Sequence, residues 1–240
     1  MDLLISVTTP DEVAAAVRGG ADIVDIKNPV EGALGASFPD VIRQVRQVTP
    51  ADLPVSAALG DVPNLPGTVA LAALGAASCG VQYVKVGLMG PRQPAEAVYL
   101  LQRVRQAVDE YRPRVQVIAT AYADADRVNA LLPLELPAVA AEAGADGCLL
   151  DTAVKDGRNL FANLSDAQLI QFVHECRQHG LLSALAGSLS PADVLHVSAI
   201  GPDIIGFRTA ACQGDRVHGR VDAGKVRQLK HLLDSSASPA

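Results

Sequence analysis

The stretch Gly19–Lys27, GGADIVDIK, contains the transition on which the fold prediction depends. Its two glycines end a helix, because glycine readily adopts the left-handed conformation found just past a helix C-terminus. The short apolar run that begins at Ile23 predicts a β-strand. A similar transition occurs at Gly144–Asp151, GADGCLLD. We therefore predict a chain built from helices that each lead into a short strand.

The alternation of short apolar runs and longer helical patterns continues in both directions from this stretch. Among the predicted helices are Ala95–Tyr111 and Ser165–His179. Eight strands alternating with helices predict a single (β/α)8 TIM barrel over residues 1–240, with a frayed tail from Asp234 to Ala240. The predicted strands are Leu3–Val7, Ile23–Lys27, Pro54–Ala58, Tyr83–Val86, Val115–Thr120, Gly147–Asp151, Leu182–Ala186 and Ile204–Phe207.

A doubly wound open sheet is the main alternative architecture for this alternation. It would need a glycine-rich fingerprint directly after the first strand, where the sequence reads Val7-Thr8-Thr9-Pro10. That segment has no glycine, so the closed barrel is favoured.

The composition argues against several classes of function. The net charge is −6, the aromatic content is 3% and there is no tryptophan. These values disfavour nucleic acid and an anionic membrane surface as partners. No apolar run reaches the length of a membrane span, so we expect a cytoplasmic protein. Four scattered cysteines without a CxxC pair predict reduced structural thiols and no metal site. They are Cys79, Cys148, Cys176 and Cys212.

The lysines are few and unevenly placed. The chain has fifteen arginines but only five lysines. Arginine cannot replace lysine as an amine nucleophile or a proton acceptor, so the few lysines of this arginine-rich chain are candidates for chemistry. Three of the five fall at or just beyond the ends of predicted strands, at Lys27, Lys85 and Lys155.

Strand phase predicts where these side chains point. Side chains alternate between the two faces of a strand, so Asp25 and Lys27 share one face while Val24 and Ile26 share the other. The apolar pair suits packing against outer helices, which turns the charged pair into the barrel. Lys85 faces inward by the same argument. In this fold the active site lies at the C-terminal ends of the strands. The candidate catalytic residues are Asp25, Lys27, Lys85, Asp151 and Lys155.

The charged cluster has a structural and a functional interpretation. Asp25–Lys27 and Asp151–Lys155 could be structural ion pairs lining the barrel mouth. Burying so many charges without a function is costly, which favours an active site. Several lysines together suit carbonyl chemistry, because a lysine forms a Schiff base readily when burial or a neighbouring cation lowers its pKa. The residues alone leave open which lysine attacks.

The loops after the seventh and eighth strands predict a phosphate site. TIM barrels commonly bind phosphate there through small residues and backbone N–H groups. The loop Asn28–Ser37 follows Lys27 directly and is the candidate lid, whereas Gly60–Gly67 is the weaker lid candidate or a connector. The candidate phosphate-binding residues are Gly187, Ser188, Gly206, Arg208 and Thr209.

Motifs along nearly the whole chain resemble one known family, the (5-formylfuran-3-yl)methyl phosphate synthases of methanofuran biosynthesis. They occur in family order and at family spacing. The motifs are Asp25–Pro29, Gly32–Ala36, Tyr83–Leu88, Leu150–Gly157, Ala186–Leu189 and Gly206–Cys212.

The resemblance implies a class I aldolase-like barrel enzyme that needs no cofactor. Its substrate would be glyceraldehyde 3-phosphate, two molecules of which condense into a furan aldehyde phosphate. By motif match, Lys27 would form the Schiff base and Lys85 would accept a proton. Asp25, Asp151 and Lys155 would complete the proton-transfer set.

Two other functions stay open from the sequence. One is a different Schiff-base phosphosugar aldolase or isomerase on the same barrel, because one fold carries many activities. The other is a non-catalytic phosphosugar-binding regulator, although that function would not require the lysines. A homo-oligomer also stays possible.

Overall fold

A closed barrel of parallel strands forms the centre of the molecule, in a computed structural model that describes residues 1–111 and 114–237. The strands follow one another around the barrel in chain order, and the last pairs with the first. The predicted TIM barrel is confirmed, and the open sheet is excluded. The strands are β1 (Asp2–Val7), β2 (Ile23–Ile26), β3 (Val55–Ala58), β4 (Tyr83–Gly87), β5 (Gln116–Tyr122), β6 (Gly147–Asp151), β7 (Leu182–Leu185) and β8 (Ile204–Phe207).

Helices connect the strands on the outside of the barrel. The connection between β5 and β6 holds two helices rather than one, and a short antiparallel ribbon follows β8. The helices are α1 (Val13–Gly19), α2 (Pro39–Val48), α3 (Pro66–Ser78), α4 (Pro94–Tyr111), α5 (Ala125–Val128), α6 (Leu136–Ala143), α7 (Asp166–Gln178), α8 (Val194–Ile200) and α9 (Ala223–Ala237). The ribbon strands are β9 (Cys212–Gln213) and β10 (Arg220–Val221).

The helix ends agree with local sequence signals. Ser165 caps α7 through a capping box with Gln168, which satisfies amides at the helix start. Gly20 and Gly144 end α1 and α6 in the left-handed conformation. The sequence predicts a frayed tail from Asp234, but in the structure α9 remains helical through Ala237. The rest of that predicted tail, residues 238–240, lies outside the described residues.

One apolar cluster lies inside the barrel, and a larger one lies between the barrel and the helices. Ile23, Ile118 and Leu149 belong to a buried cluster inside the strands. Val24 and Ile26 are fully buried in the larger cluster formed with the helices. The predicted strand phase of β2 is therefore confirmed.

The helices and cysteines add two observations. In the described ranges, no helix combines the length and apolar character needed to cross a bilayer. All four cysteines are buried free thiols.

A buried ion pair joins the first and last units of the barrel. Glu12, after β1, accepts a 2.8 Å hydrogen bond from Nη1 of Arg208, after β8. Its carboxylate also accepts from the backbone amides of Thr8 and Val221. Burial alone would raise the pKa of Glu12, but the bonds from Arg208 and Thr8 outweigh it and hold the pKa below its usual value. The pair therefore fixes the loop after β8 against the start of the chain.

We predict that Glu12→Gln destabilises the protein by about 3–5 kcal/mol, because Arg208 would remain buried without a counter-charge. Unfolding in guanidinium chloride measures the change. Asp166→Asn is a control, because Asp166 and its partner His196 are both exposed. A loss for Glu12→Gln no larger than that of the control would contradict a stabilising role for the pair.

Candidate active site

The interior of the barrel contains one main cavity that brings the predicted residues together. All of the predicted site residues except Asp25 line it, and Asp25 lies behind Lys85. The catalytic candidates that line the cavity are Lys27, Lys85, Asp151 and Lys155, and the phosphate-binding candidates are Gly187, Ser188, Gly206, Arg208 and Thr209.

Asp25 forms an ion pair with Lys85. The Nζ of Lys85 lies 2.7 Å from Oδ1 of Asp25, and both side chains are almost fully buried. The hydroxyl of Ser6 donates to Oδ2 of Asp25 at 2.9 Å. One of the structural alternatives paired Asp25 with Lys27, its neighbour on the same strand. The structure instead joins β2 to β4 across the barrel interior.

A second pair joins Asp151 to Lys155. The Nζ of Lys155 lies 2.6 Å from Oδ1 of Asp151 and donates to the hydroxyl of Thr152 at 3.0 Å. Burial would raise the pKa of Asp151, but Lys155 and Lys27 outweigh it and bring that pKa down to about 2. Asp151 is therefore ionised at neutral pH, which agrees with a structural ion pair. Its side chain also lines the cavity, as an active-site residue would.

Lys27 is the lysine of the cluster without an ion pair. Its side chain is 7% exposed, and no described residue forms a hydrogen bond or an ion pair with its Nζ. Burial is the largest cause that lowers the pKa of Lys27, to about 8, and the charges of Lys85 and Lys155 add to it. Asp151 and Asp25 oppose that shift. A fraction of the Lys27 amine is consequently unprotonated near neutral pH, which a nucleophile requires.

The predicted phosphate loops place unpaired amides beside the cavity. Within the described part of the chain, the amides of Gly187 and Ser188 donate to no protein acceptor. Gly187 has a φ of 109°, and a Cβ there would lie 3.2 Å from the amide nitrogen of Thr152. Ser188 also has a positive φ, of 53°. The turn therefore leaves two backbone donors for an anion.

Most donors of Arg208 are already engaged with the protein. Besides Glu12, its guanidinium donates to the carbonyls of Ser6, Gly219 and Arg216, at 3.0, 2.8 and 3.1 Å. Because a guanidinium has five N–H donors, one remains. The sequence places Arg208 correctly beside the cavity, but these contacts make it a support for the loops. A phosphate contact through its last donor stays a prediction.

The candidate lid, Asn28–Ser37, is held down in this structure by the second candidate loop. The carboxylate of Asp61 accepts a 2.9 Å hydrogen bond from the amide of Leu34, whose carbonyl accepts from Gly60. Gly32 packs so closely on Asp61 that a Cβ would lie 2.4 Å from its Oδ2. The loop Gly60–Gly67 thus carries the residue that fastens the lid.

Three polar residues around the site, Asp61, Tyr122 and Arg216, are not among those predicted from the sequence. The hydroxyl of Tyr122 donates to Asp61, and burial, with the Asp61 charge, raises the pKa of Tyr122 well above its usual value. Arg216 lines the cavity from the ribbon loop. Strand phase identifies Tyr122, because it shares the inward face of β5 with Ile118. No periodic pattern identifies a loop residue such as Arg216.

The fold and the site define a TIM barrel with a cluster of lysines and aspartates at its internal cavity. Within that class the chain belongs to the 4-HFC-P synthase family, whose family model matches residues 3–230. The resemblance drawn from the motifs is confirmed.

Curated relatives match over nearly their full length. The chain is 53% identical to the (5-formylfuran-3-yl)methyl phosphate synthase of Methanothermobacter thermautotrophicus, over 98% of this chain and 100% of the relative. It is 49% identical to the enzyme of that name from Methanocaldococcus jannaschii, over 97% of this chain and 99% of the relative.

Solved structures share the fold at low sequence identity. The 3-hexulose-6-phosphate synthase of Salmonella typhimurium is 20% identical, with a TM-score of 0.69 over 98% of this chain and 100% of that one. The phosphoribosyl anthranilate isomerase of Thermus thermophilus is 19% identical, with a TM-score of 0.65 over 98% and 99% of the two chains. At these identities the similarity supports the barrel fold and nothing more.

We predict that Asp151→Asn lowers the pKa of Lys27 below about 8. The substitution removes the carboxylate that most opposes the shift, and it leaves Lys155 as an unpaired cation. The rate of reductive labelling of Lys27 by an aldehyde and cyanoborohydride should therefore reach half its maximum at a lower pH. Asp156→Asn, in the same loop but exposed, is the matched control. A midpoint that stays in place or moves upward would contradict the electrostatic account.

Proposed function

We propose that this enzyme condenses two molecules of glyceraldehyde 3-phosphate into (5-formylfuran-3-yl)methyl phosphate for methanofuran-type cofactor biosynthesis. The names of its full-length relatives support the product. The overall reaction balances when two triose phosphates give the furan, one inorganic phosphate and two waters. No net oxidation or reduction occurs. The steps needed are carbonyl activation, carbon–carbon bond formation, phosphate loss and dehydration, which assign the enzyme to an aldolase-like lyase class.

The unpaired amine of Lys27 is the observation that carries this proposal. Its nitrogen attacks the aldehyde carbon of one triose, and loss of water gives an imine. Protonation of the imine nitrogen makes the neighbouring carbon acidic, so that removal of a proton there gives an enamine nucleophile. Lys85 and Lys155 favour the free amine before the reaction, because their charges help to lower the pKa of Lys27.

The two ion pairs are suited to the proton transfers. Lys85 first donates a proton to a substrate oxygen and then, as the neutral amine, accepts a proton from substrate carbon, while Asp25 holds its Nζ in place and Ser6 holds Asp25. Lys155 donates a proton to departing oxygen, and Asp151 holds its Nζ at the cavity wall. A pair in fixed geometry exchanges protons without moving its heavy atoms, which suits a sequence of acid and base steps.

The direct test combines trapping with product detection. Borohydride added with glyceraldehyde 3-phosphate is expected to attach a triose-sized mass at Lys27. The wild-type protein with the same substrate alone should form a product with the ultraviolet absorbance of a conjugated furan aldehyde. Lys27→Arg is the control, because it keeps the charge but forms no stable imine, and we expect it to lose at least 10³-fold in turnover.

Each alternative function has its own outcome in this test. An adduct at Lys27 with a non-absorbing sugar phosphate as product would indicate a different phosphosugar aldolase or isomerase. Tight triose phosphate binding without turnover would indicate a regulator. An adduct at Lys85 or Lys155 would move the nucleophile and contradict the role given to Lys27.

A further inference from the structure

The loop of the β9–β10 ribbon carries Arg216 to the edge of the main cavity. Arg216 also lines a second cavity, which we call the side cavity. The main and side cavities share part of their walls, so a molecule in one lies next to a molecule in the other. The shared walls are Lys155, Ser188, Leu189, Thr209 and Arg216.

Arg216 is a half-buried cation without an ion pair. Its guanidinium donates to two lid carbonyls, those of Pro29 at 3.3 Å and Gly32 at 2.9 Å. Among the described residues no carboxylate forms an ion pair with it. Three of its five N–H donors are consequently uncommitted, and its charge is balanced only at longer range, by Asp151 and Asp61. Such a group at a cavity wall is suited to an anionic ligand.

The ribbon holds Arg216 in a defined position. Arg208 donates to the carbonyls of Arg216 and Gly219, on both sides of the loop. Asp215 accepts hydrogen bonds from the amides of Val217 and His218, both at 2.7 Å, which closes the turn. These contacts order the backbone of Arg216 before any ligand arrives, so little further entropy is lost on binding.

A reaction between two triose phosphates brings two dianionic groups into one site. Their mutual repulsion requires separate anion sites. The unpaired amides at Gly187 and Ser188 provide one of them, beside the main cavity. Lys155 and Arg216 supply positive charge at the side cavity, with the hydroxyls of Ser188 and Thr209 in the same wall. Asp215 also lines the side cavity, and its carboxylate accepts hydrogen bonds from the amides of Val217 and His218.

We propose that Arg216 binds the phosphate group of the second triose phosphate, at the boundary between the main and side cavities. This inference rests on the proposed function for the identity of that ligand. Arg208 then acts as a positioning residue for Arg216. Because Arg216 also holds the lid carbonyls, arrival of the second substrate is coupled to the closed position of Asn28–Ser37.

Inorganic phosphate is the probe for a test that needs no turnover. Calorimetric titration of the wild-type protein is expected to show two phosphate sites. Arg216→Gln should remove one site or weaken it at least tenfold, and Arg216→Lys should retain part of the affinity. Arg220→Gln is the matched control, because Arg220 lies on the same ribbon, is exposed and is not among the residues that line either cavity. Two unchanged sites in Arg216→Gln, or a single site in the wild type, would overturn the proposal.

A second readout separates phosphate binding from lid fastening. Borohydride trapping at Lys27 is compared for glyceraldehyde 3-phosphate and for unphosphorylated glyceraldehyde. If Arg216 binds phosphate, Arg216→Gln should lower the ratio of the trapping rate with glyceraldehyde 3-phosphate to that with glyceraldehyde at least tenfold. An equal loss for both aldehydes would show that Arg216 only fastens the lid. Failure of the wild type to form a furan would instead overturn the proposed function and leave the phosphate result intact.

Discussion

Two lysine–aspartate ion pairs at the centre of the barrel leave Lys27 without an ion-pair partner of its own. Charges removed from water need partners, and Asp25 and Asp151 each form an ion pair with another lysine. Lys27 therefore experiences both burial and two neighbouring cations, which together lower its pKa to about 8. The proposed chemistry follows from this imbalance, because a fully protonated lysine would form an imine slowly. The ion pairs thus affect Lys27 indirectly, in addition to the proton transfers proposed for them.

The barrel positions these groups through its strand register. Asp25 aligns with Ser56, and Ser56 with Tyr83, so Lys27 and Lys85 lie one layer above Asp25 on the inner face. The Glu12–Arg208 ion pair likewise fixes the position of the loop after β8. Through Arg208 it supports the ribbon that carries Arg216. A contact near the start of the chain thereby supports the edge of the site where we propose that an anion binds.

The sequence predicts the parts of the molecule that follow periodic or strand-end patterns. Short apolar runs between helical segments locate the eight barrel strands but not the β9–β10 ribbon, and the phase of β2 places Asp25 and Lys27 correctly inside the barrel. Partner choice is different, because it depends on which side chains meet across the barrel. The pairing of Asp25 with Lys85 is therefore visible only in the structure. Arg208 shows a related limit, since its position was predicted but its engaged donors were not. Arg216 and Asp61 lie in irregular loops, where spacing carries no information about contacts.

The central claim is that Lys27 has an unusually low pKa because it is buried beside Lys85 and Lys155 without an ion-pair partner of its own. Nuclear magnetic resonance titration of the protein with isotope-labelled lysine side chains measures this directly, with assignment from the Lys27→Arg spectrum. The account predicts that the Lys27 signal titrates near pH 8, well below the ordinary lysine value of 10.5. A Lys27 midpoint at or above that ordinary value would contradict it.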